Sequence, residues 1–292
     1  MEKEKILLAG EITKKVKADA KDFIKKGMPL LEIAERIENK IVELGGKPAF
    51  PTNLSINNIA AHYTPFHEDK TLAEGLLKVD FGVHIDGWLS DNAFSLDLEN
   101  SELNKKLIES SKNALKKALE TIEIKKTTNE IGKVIEDTIQ EKGFQPIRNL
   151  SGHSMDQYDL HAGITMPNID DNSNIEIPGG LYAIEPFATT GSGKVHDGKP
   201  SGIYMIVDDK NIRSPIAREV LNFIIDEYQT IPFCERWIIK KVGAKALFGL
   251  RQLEQNGNLH QFKQLVEEKG ALVSQAENTI LLLESEKIIT TE

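Results

Sequence analysis

A single cysteine, Cys234, stands among 292 residues, so no intramolecular disulfide can form. The thiol reads as an ordinary core or surface residue of a protein kept in a reducing compartment. No stretch approaches the roughly 18 consecutive apolar residues of a membrane span. The opening segment MEKEKILLAG lacks the apolar run and small-residue cleavage site of a signal peptide. Basic residues are the minority, 36 against 45 acidic, for a net charge of -9. That balance works against wrapping nucleic acid or binding an anionic membrane. Neither end carries a long charged or low-complexity arm, which excludes tail-based functions. What is present suits a globular protein: 40% apolar residues and 21 glycines supply a sizeable core. The expectation is a soluble, cytoplasmic protein with no nucleic-acid or membrane partner, folded as one two-lobed unit or two ordinary ones.

Glycine and proline punctuate the chain. An amphipathic pattern runs from about Lys3 to Lys26 and stops at Gly27; a second helix can open at Pro29 and close at Gly45-Gly46. After the breaker-rich FPTNLSINN, the segment LLKVDFGVHIDGWLSDNAFSL reads as two alternating strands turning at Asp86-Gly87, a favoured type I′ pair. Two more helical patterns fill Ser101 to about Glu141, and Gly143 and Pro146 end the second. The pattern recurs at a constant offset of 98 residues: Glu32, Ile33, Ile37, Glu38, Ile41, Gly45 and Pro48 match Glu130, Ile131, Ile135, Glu136, Ile139, Gly143 and Pro146. Shared stop signals indicate a duplicated helix-strand unit. At this offset His62 falls at position 160, beside His161. Two α/β halves related by a pseudo-two-fold axis should therefore enclose a polar site between them.

The hairpin supplies the first chemistry. With Ile85 and Trp88 flanking a two-residue turn, Asp80 faces Ala93 and Asp91 faces Gly82, so the two acids are diagonal neighbours on one face. Such carboxylates repel unless a proton or cation intervenes. Leu77, Val79, Phe81 and Val83 make the other face apolar, which turns the acids toward a cleft. Taken alone, the pair has a commoner explanation, the solvated polar face of an antiparallel sheet. Further on, SGHSMDQYDLHAG sets His153 near His161. GGLYAIEPFATTGSG puts Glu185 in a short apolar strand where a charge needs a partner, and LVSQAENTILLLE repeats the arrangement with Glu277. Four carboxylates and one imidazole, Asp80, Asp91, His153, Glu185 and Glu277, suit two divalent ions with shared carboxylates and an activated water. GSGKV at Gly191 to Val195 lacks the second half of a phosphate-binding loop. His196 and His260, in polar loop or helix contexts, should be exposed, and Trp88 and Trp237 read as packing residues.

Together, VDFGVHIDGWLSDNAFS, NLSGHSMDQYDLHAG, YAIEPFATTGSGKV and SQAENTILL resemble the motifs of the methionine aminopeptidases, type 2 branch, in its short archaeal form. The resemblance covers nearly the whole chain. It implies an α+β pita-bread fold, a single catalytic domain over residues 1–292 with a curved antiparallel sheet and a dinuclear metal site at its centre. It makes Asp80 a ligand of one metal, Asp91 and Glu277 bridging ligands, and His153 and Glu185 ligands of the other, with Glu185 also accepting a proton from the bridging water. His62 and His161 would hydrogen-bond the scissile peptide group, and Phe50 would line the methionine pocket. Cobalt, manganese, iron, nickel and zinc all suit such a donor set.

The implied substrate is the N-terminus of nascent polypeptides, met at the ribosome, with methionine removed before a small second residue; the implied state is a monomer. The stretch between Glu185 and Glu277, 92 positions apart, contains REVLNFIIDEYQT and ERWIIKKVGAKALFGLRQL, the place of a type 2 helical insertion, here roughly residues 203–263. Family members commonly carry His after the last ligand, where this chain has Asn278. Two alternatives stand beside this reading: a prolidase-like X-Pro exopeptidase, which generally carries an added N-terminal domain, and a non-catalytic peptide- or nucleic-acid-binding relative, marked by lost ligands.

Overall fold

Leu77, Val79, Phe81 and Val83 alternate with polar or small residues, and that alternation organises the N-terminal half. In the computed structural model, which covers residues 1–292, the hairpin strands are Leu76–Ile85 and Trp88–Asp97. Asp86 (φ 49°) and Gly87 (φ 84°) join them, both left-handed as a type I′ turn requires. The register is the expected one, with Ile85 opposite Trp88, Asp80 opposite Ala93 and Gly82 opposite Asp91. The apolar face packs on Ile12 and Val16 of α1 (Lys3–Phe23) and on Ile33, Ile37 and Ile41 of α2 (Leu30–Glu43). Each fully buried aliphatic side chain there contributes about 1.5–3 kcal/mol. A one-residue slip would forfeit all of them, so packing on this face holds the acids on the other.

The second half repeats the first. α3 (Glu102–Thr121) and α4 (Thr128–Glu141) pack through Leu107, Leu115, Ile131, Ile135 and Ile139 against Tyr182 and Ile280. The latter two belong to an antiparallel sheet ordered Glu286–Ile289, Asn278–Leu283, Gly180–Ile184, Ser151–Met155, Thr165–Pro167. α2 and α4 occupy residues 30–43 and 128–141, the same offset of 98 at both ends. Each is followed by a left-handed glycine, Gly45 (φ 91°) or Gly143 (φ 80°), and then a short strand, Lys47–Pro48 or Gln145–Pro146. The two starts differ: Thr127 and Glu130 form a capping box before α4, whereas Pro29 precedes α2 with no side-chain cap.

The two half-sheets meet along a seam between strand Trp88–Asp97 and the segment around Glu277. Glu277 N–H donates to the Ala93 carbonyl at 2.9 Å. Thr279 Oγ1 accepts from the Asp91 N–H (2.7 Å) and donates to the Asp91 carbonyl (2.8 Å). Ser95 Oγ treats Gln275 in the same way, at 2.9 and 2.8 Å. Side-chain hydroxyls thus take the place of part of a backbone ladder.

Several expectations are corrected in detail. Glu185 and Glu277 sit in breaks rather than inside strands: Glu185 lies between Gly180–Ile184 and Phe187–Thr189, and Glu277 between Val273–Gln275 and Asn278–Leu283. Pro186, lacking an N–H, interrupts the ladder after Glu185, a gap that apolar flanks do not reveal. His196 and His260 are exposed, as expected, but lie on the paired strands His196–Ile206 and Leu259–Val266, whose solvent side is polar. The GSGKV loop is occupied from within: Ser192 Oγ (2.9 Å) and the N–H groups of Gly193 (3.1 Å) and Lys194 (3.2 Å) all donate to buried Glu267. Cys234 is fully buried, and burial pushes its thiol up to about 12, so it is an inert core residue.

The segment expected as an insertion holds α5 (Pro215–Tyr228), α6 (Glu235–Val242) and α7 (Ala246–Asn256) around Val220, Ile224, Phe233, Ile238, Leu250 and Leu253. It is anchored to α2 by a buried ion pair. Arg236 donates to both Glu38 oxygens (2.6 and 2.9 Å) and to the Pro65 carbonyl (3.1 Å). Trp237 Nε1 adds a third bond to Glu38 at 2.8 Å, so this tryptophan does more than pack. No helix is long and apolar enough to cross a membrane. Arg236→Met, which leaves Glu38 desolvated without its partner, is expected to lower unfolding free energy by about 3–5 kcal/mol, while the double change with Glu38→Leu recovers most of it. Urea denaturation of the three proteins checks this.

Candidate active site

A cavity of about 300 Å³ opens between the halves, and all eight residues singled out from the sequence line it: Phe50, His62, Asp80, Asp91, His153, His161, Glu185 and Glu277. The hairpin brings Asp80 and Asp91, strand Ser151–Met155 brings His153, and the two strand breaks bring Glu185 and Glu277. His62 follows strand Ile59–Ala61 in a left-handed conformation (φ 62°), unusual for a residue with a Cβ.

The acids have little to satisfy them. One donor atom from each of Asp91, His153 and Glu277 lies within 4.8 Å of the others. His153 Nε2 is 3.6 Å from Asp91 Oδ2 and 3.8 Å from Glu185 Oε1, beyond hydrogen-bond length. Asp80 Oδ1 and Asp91 Oδ1 are buried with no donor. Only the Gln275 amide reaches in, donating to Glu185 Oε2 and Glu277 Oε2 at 3.3 Å each. Loss of water pushes the Asp80 carboxyl up to about 7, opposed by Gln275. The other three are pushed well above the carboxylate range, first by burial and then by one another: Asp80 acts on Asp91, Asp91 and Asp80 on Glu185, and Asp91, Glu185 and Asp80 on Glu277. Burial, then His161, brings His153 down to about 3, so its imidazole is neutral. Four oxygen donors and one neutral nitrogen, short of hydrogen-bond partners, match divalent first-row metals. The residues present therefore fit a metal centre.

The histidines are distinct. His62 Nδ1 lies 3.1 Å from the Lys263 carbonyl, which makes Nδ1 the donor and leaves the lone pair on Nε2. Burial brings its pKa down to about 4, so it is neutral near pH 7. The His161 ring stands edge-on to His153 at 4.4 Å. Sequence reasoning missed Gln275, though its place two residues before Glu277 was a usable signal. It also missed the apolar wall of Ile203, Pro232, Phe262 and Leu265 that faces Phe50 and Leu160. Those residues are too far apart in sequence for any local pattern to unite them.

Residues 4–221 match metallopeptidase family M24. Over full length the chain is 45% identical to the methionine aminopeptidase of Pyrococcus horikoshii, covering 100% of both. Its fold resembles a thermophilic Arx1 (TM-score 0.83, 16% identity, 98% of this chain and 90% of that one). It also resembles the methionine aminopeptidase from Thermotoga maritima (TM-score 0.70, 21% identity, 99% and 96%). The chain belongs to the M24 metallopeptidases and has their α+β pita-bread fold, a curled antiparallel sheet shared by two similar halves. Within that family its full-length kinship places it with the methionine aminopeptidases, so it is a hydrolase.

The raised carboxyls give the metal-free protein a defined pH response. Asp80 binds its proton more tightly folded than unfolded, so its contribution to stability is fully present below about pH 4 and is lost as pH rises through about 7. His62 and His153, with depressed values, act in the opposite sense, so a variant comparison isolates Asp80. In chelator, Asp80→Asn is expected to be more stable than wild type at pH 8 by about 1–3 kcal/mol, with the advantage shrinking at pH 5. Added Mn²⁺ should stabilise wild type and reverse the ranking. Urea denaturation at both pH values, with and without metal, checks both points.

Proposed function

We propose that this chain removes the N-terminal methionine of nascent polypeptides whose second residue is small, with two divalent ions held by Asp80, Asp91, His153, Glu185 and Glu277. The observation that carries the reading is the cluster of four carboxylates and a neutral imidazole beside a small apolar wall. Asp80 would serve one ion, His153 and Glu185 the other, and Asp91 and Glu277 would be shared. Bound metals of this class lower the pKa of a water and polarise a carbonyl. Cobalt, manganese, iron, nickel and zinc fit the donors alike.

The chain's own groups do the rest. Phe50, Leu160, Ile203 and Pro232 line a recess suited to an unbranched thioether side chain. The acid-lined floor favours a free α-amino group, which only a chain terminus offers. Glu185, one oxygen held by Gln275, accepts the proton of the attacking water and returns it to the departing amine. His62 would offer its Nε2 lone pair to a substrate N–H, and His161 would donate to the oxygen that gains charge as water adds. We read residues 1–292 as one catalytic domain and 203–263 as an inserted segment, whose Ile203 and Pro232 help shape the methionine recess. A cytoplasmic monomer meeting its substrates at the ribosome completes the reading.

Hydrolysis of Met-Ala-Ser, Ala-Ala-Ser and Met-Pro peptides by Mn²⁺- or Co²⁺-loaded protein tests it. Free methionine should be released from Met-Ala-Ser, and chelation should stop the release. Glu185→Gln should lower kcat by about 10²–10⁴-fold. His62→Ala and His161→Ala should each lower kcat/KM by about 10²-fold. Turnover confined to X-Pro substrates, or metal bound without turnover, would overturn the proposal.

A further inference from the structure

Alternation along the seam gives each shared carboxylate a partner on the opposite face. Asp91 and Glu277 line the cavity, Glu277 also bordering the hollow behind the sheet, while their neighbours Asn92 and Asn278, both buried, reach toward α1. There the Lys17 ammonium donates to Asn92 Oδ1 at 2.8 Å and to Asn278 Oδ1 at 3.2 Å, one residue from each half. Thr291 Oγ1 donates to the same Asn278 oxygen at 3.1 Å, and the ammonium, which can only donate, fixes that oxygen as the end of the amide facing the lysine. Lys17 lies in a hollow of about 960 Å³ behind the sheet, together with Lys14, Lys21, Lys112, Lys116 and Lys287. Burial, and then repulsion from Lys21, lowers its pKa to about 8, which leaves it charged at neutral pH. Lys17 is thus kept as a cation against burial and the lysines Lys21 and Lys112, with Glu292 and Glu277 favouring its charge, where an apolar side chain would pack without the cost of burial.

We propose that Lys17 is a positioning residue: by bonding Asn92 and Asn278 across the seam, it fixes the spacing of Asp91 and Glu277 on the opposite face before any metal arrives. The inference rests on the reading of Asp91 and Glu277 as shared ligands. The carboxylates repel one another across a junction whose front is closed through Ala93, Thr279 and Ser95, and the Lys17 ammonium adds the tie from behind the sheet, through the side chains that follow each carboxylate. Asn278 supplies an oxygen acceptor that an ammonium can use.

The test uses full-length wild type, Lys17→Met, Lys17→Arg and Asn92→Ser. Mn²⁺ titration calorimetry of the chelated proteins should show Lys17→Met binding about 10- to 100-fold more weakly, as loss of a group that orients ligands does elsewhere. Lys17→Arg, which keeps the charge and the donors, should recover most of that loss, and Asn92→Ser, which removes one acceptor only, should fall between. Hydrogen exchange of the metal-free proteins gives an independent readout: the Asp91 and Glu277 amides at the seam should exchange faster in Lys17→Met, while amides in α4 keep their rates. Unchanged metal affinity together with unchanged seam exchange would overturn the clamp, as would equal losses in Lys17→Met and Lys17→Arg. A wild type that binds fewer than two ions would overturn the dinuclear reading instead, and seam exchange would then decide the clamp.

Discussion

Four carboxyl groups converge where two half-sheets meet, and their mutual repulsion is the constraint around which this molecule is arranged. Asp80 and Asp91 come from one half, Glu185 and Glu277 from the other, and no cationic side chain lines the cavity they share. Folding brings them together only because the opposite faces of the same strands bury Leu77, Val79, Phe81 and Val83 against α1 and α2, and Tyr182 and Ile280 against α3 and α4. Hydrophobic packing on the outside thereby holds an unfavourable charge arrangement on the inside, one that a bound cation would relieve.

Duplication explains why such a cluster sits at a junction. Each half is a helix pair laid over a sheet, closely related by the offset of 98, and the site draws on both. The hydroxyls of Ser95 and Thr279 and the ammonium of Lys17 join the halves where a continuous backbone ladder would otherwise run. The helices α5 to α7 break the symmetry. Anchored to α2 through Arg236, Trp237 and Glu38, this segment brings Pro232 to the cavity wall, so apolar as well as acidic residues line the site.

Much of this was legible in the chain itself. The hairpin register followed from Asp86-Gly87 and strict alternation, because side-chain direction in a strand has a period of two and a type I′ turn leaves no slack. The ends of α2 and α4 followed from glycine and proline stops, and the start of α2 from Pro29. The eight residues singled out from motifs all line the cavity, though Glu185 and Glu277 were set inside strands when they occupy breaks. Periodicity registers which side a residue faces; it does not register two-residue interruptions such as Glu185-Pro186 and Ala276-Glu277. His196 and His260 were read as loop or helix residues for a similar reason, since a strand with a solvated face and a segment such as HDGKPSG carries no apolar alternation.

The sequence by itself determined the elements, their faces and the list of ionisable groups, since these depend on neighbours a few residues apart. The tertiary structure decided what those groups are to one another. The Nδ1–H of His62 is assigned by a carbonyl 201 positions away at Lys263, and the Asp91 backbone is held by Thr279 across 188. The seam, the apolar wall and the Lys17 bridge are likewise contacts between residues far apart in the chain. Local rules carry no information about such pairs: their distances are set by how whole layers pack, and packing is a property of the folded molecule alone.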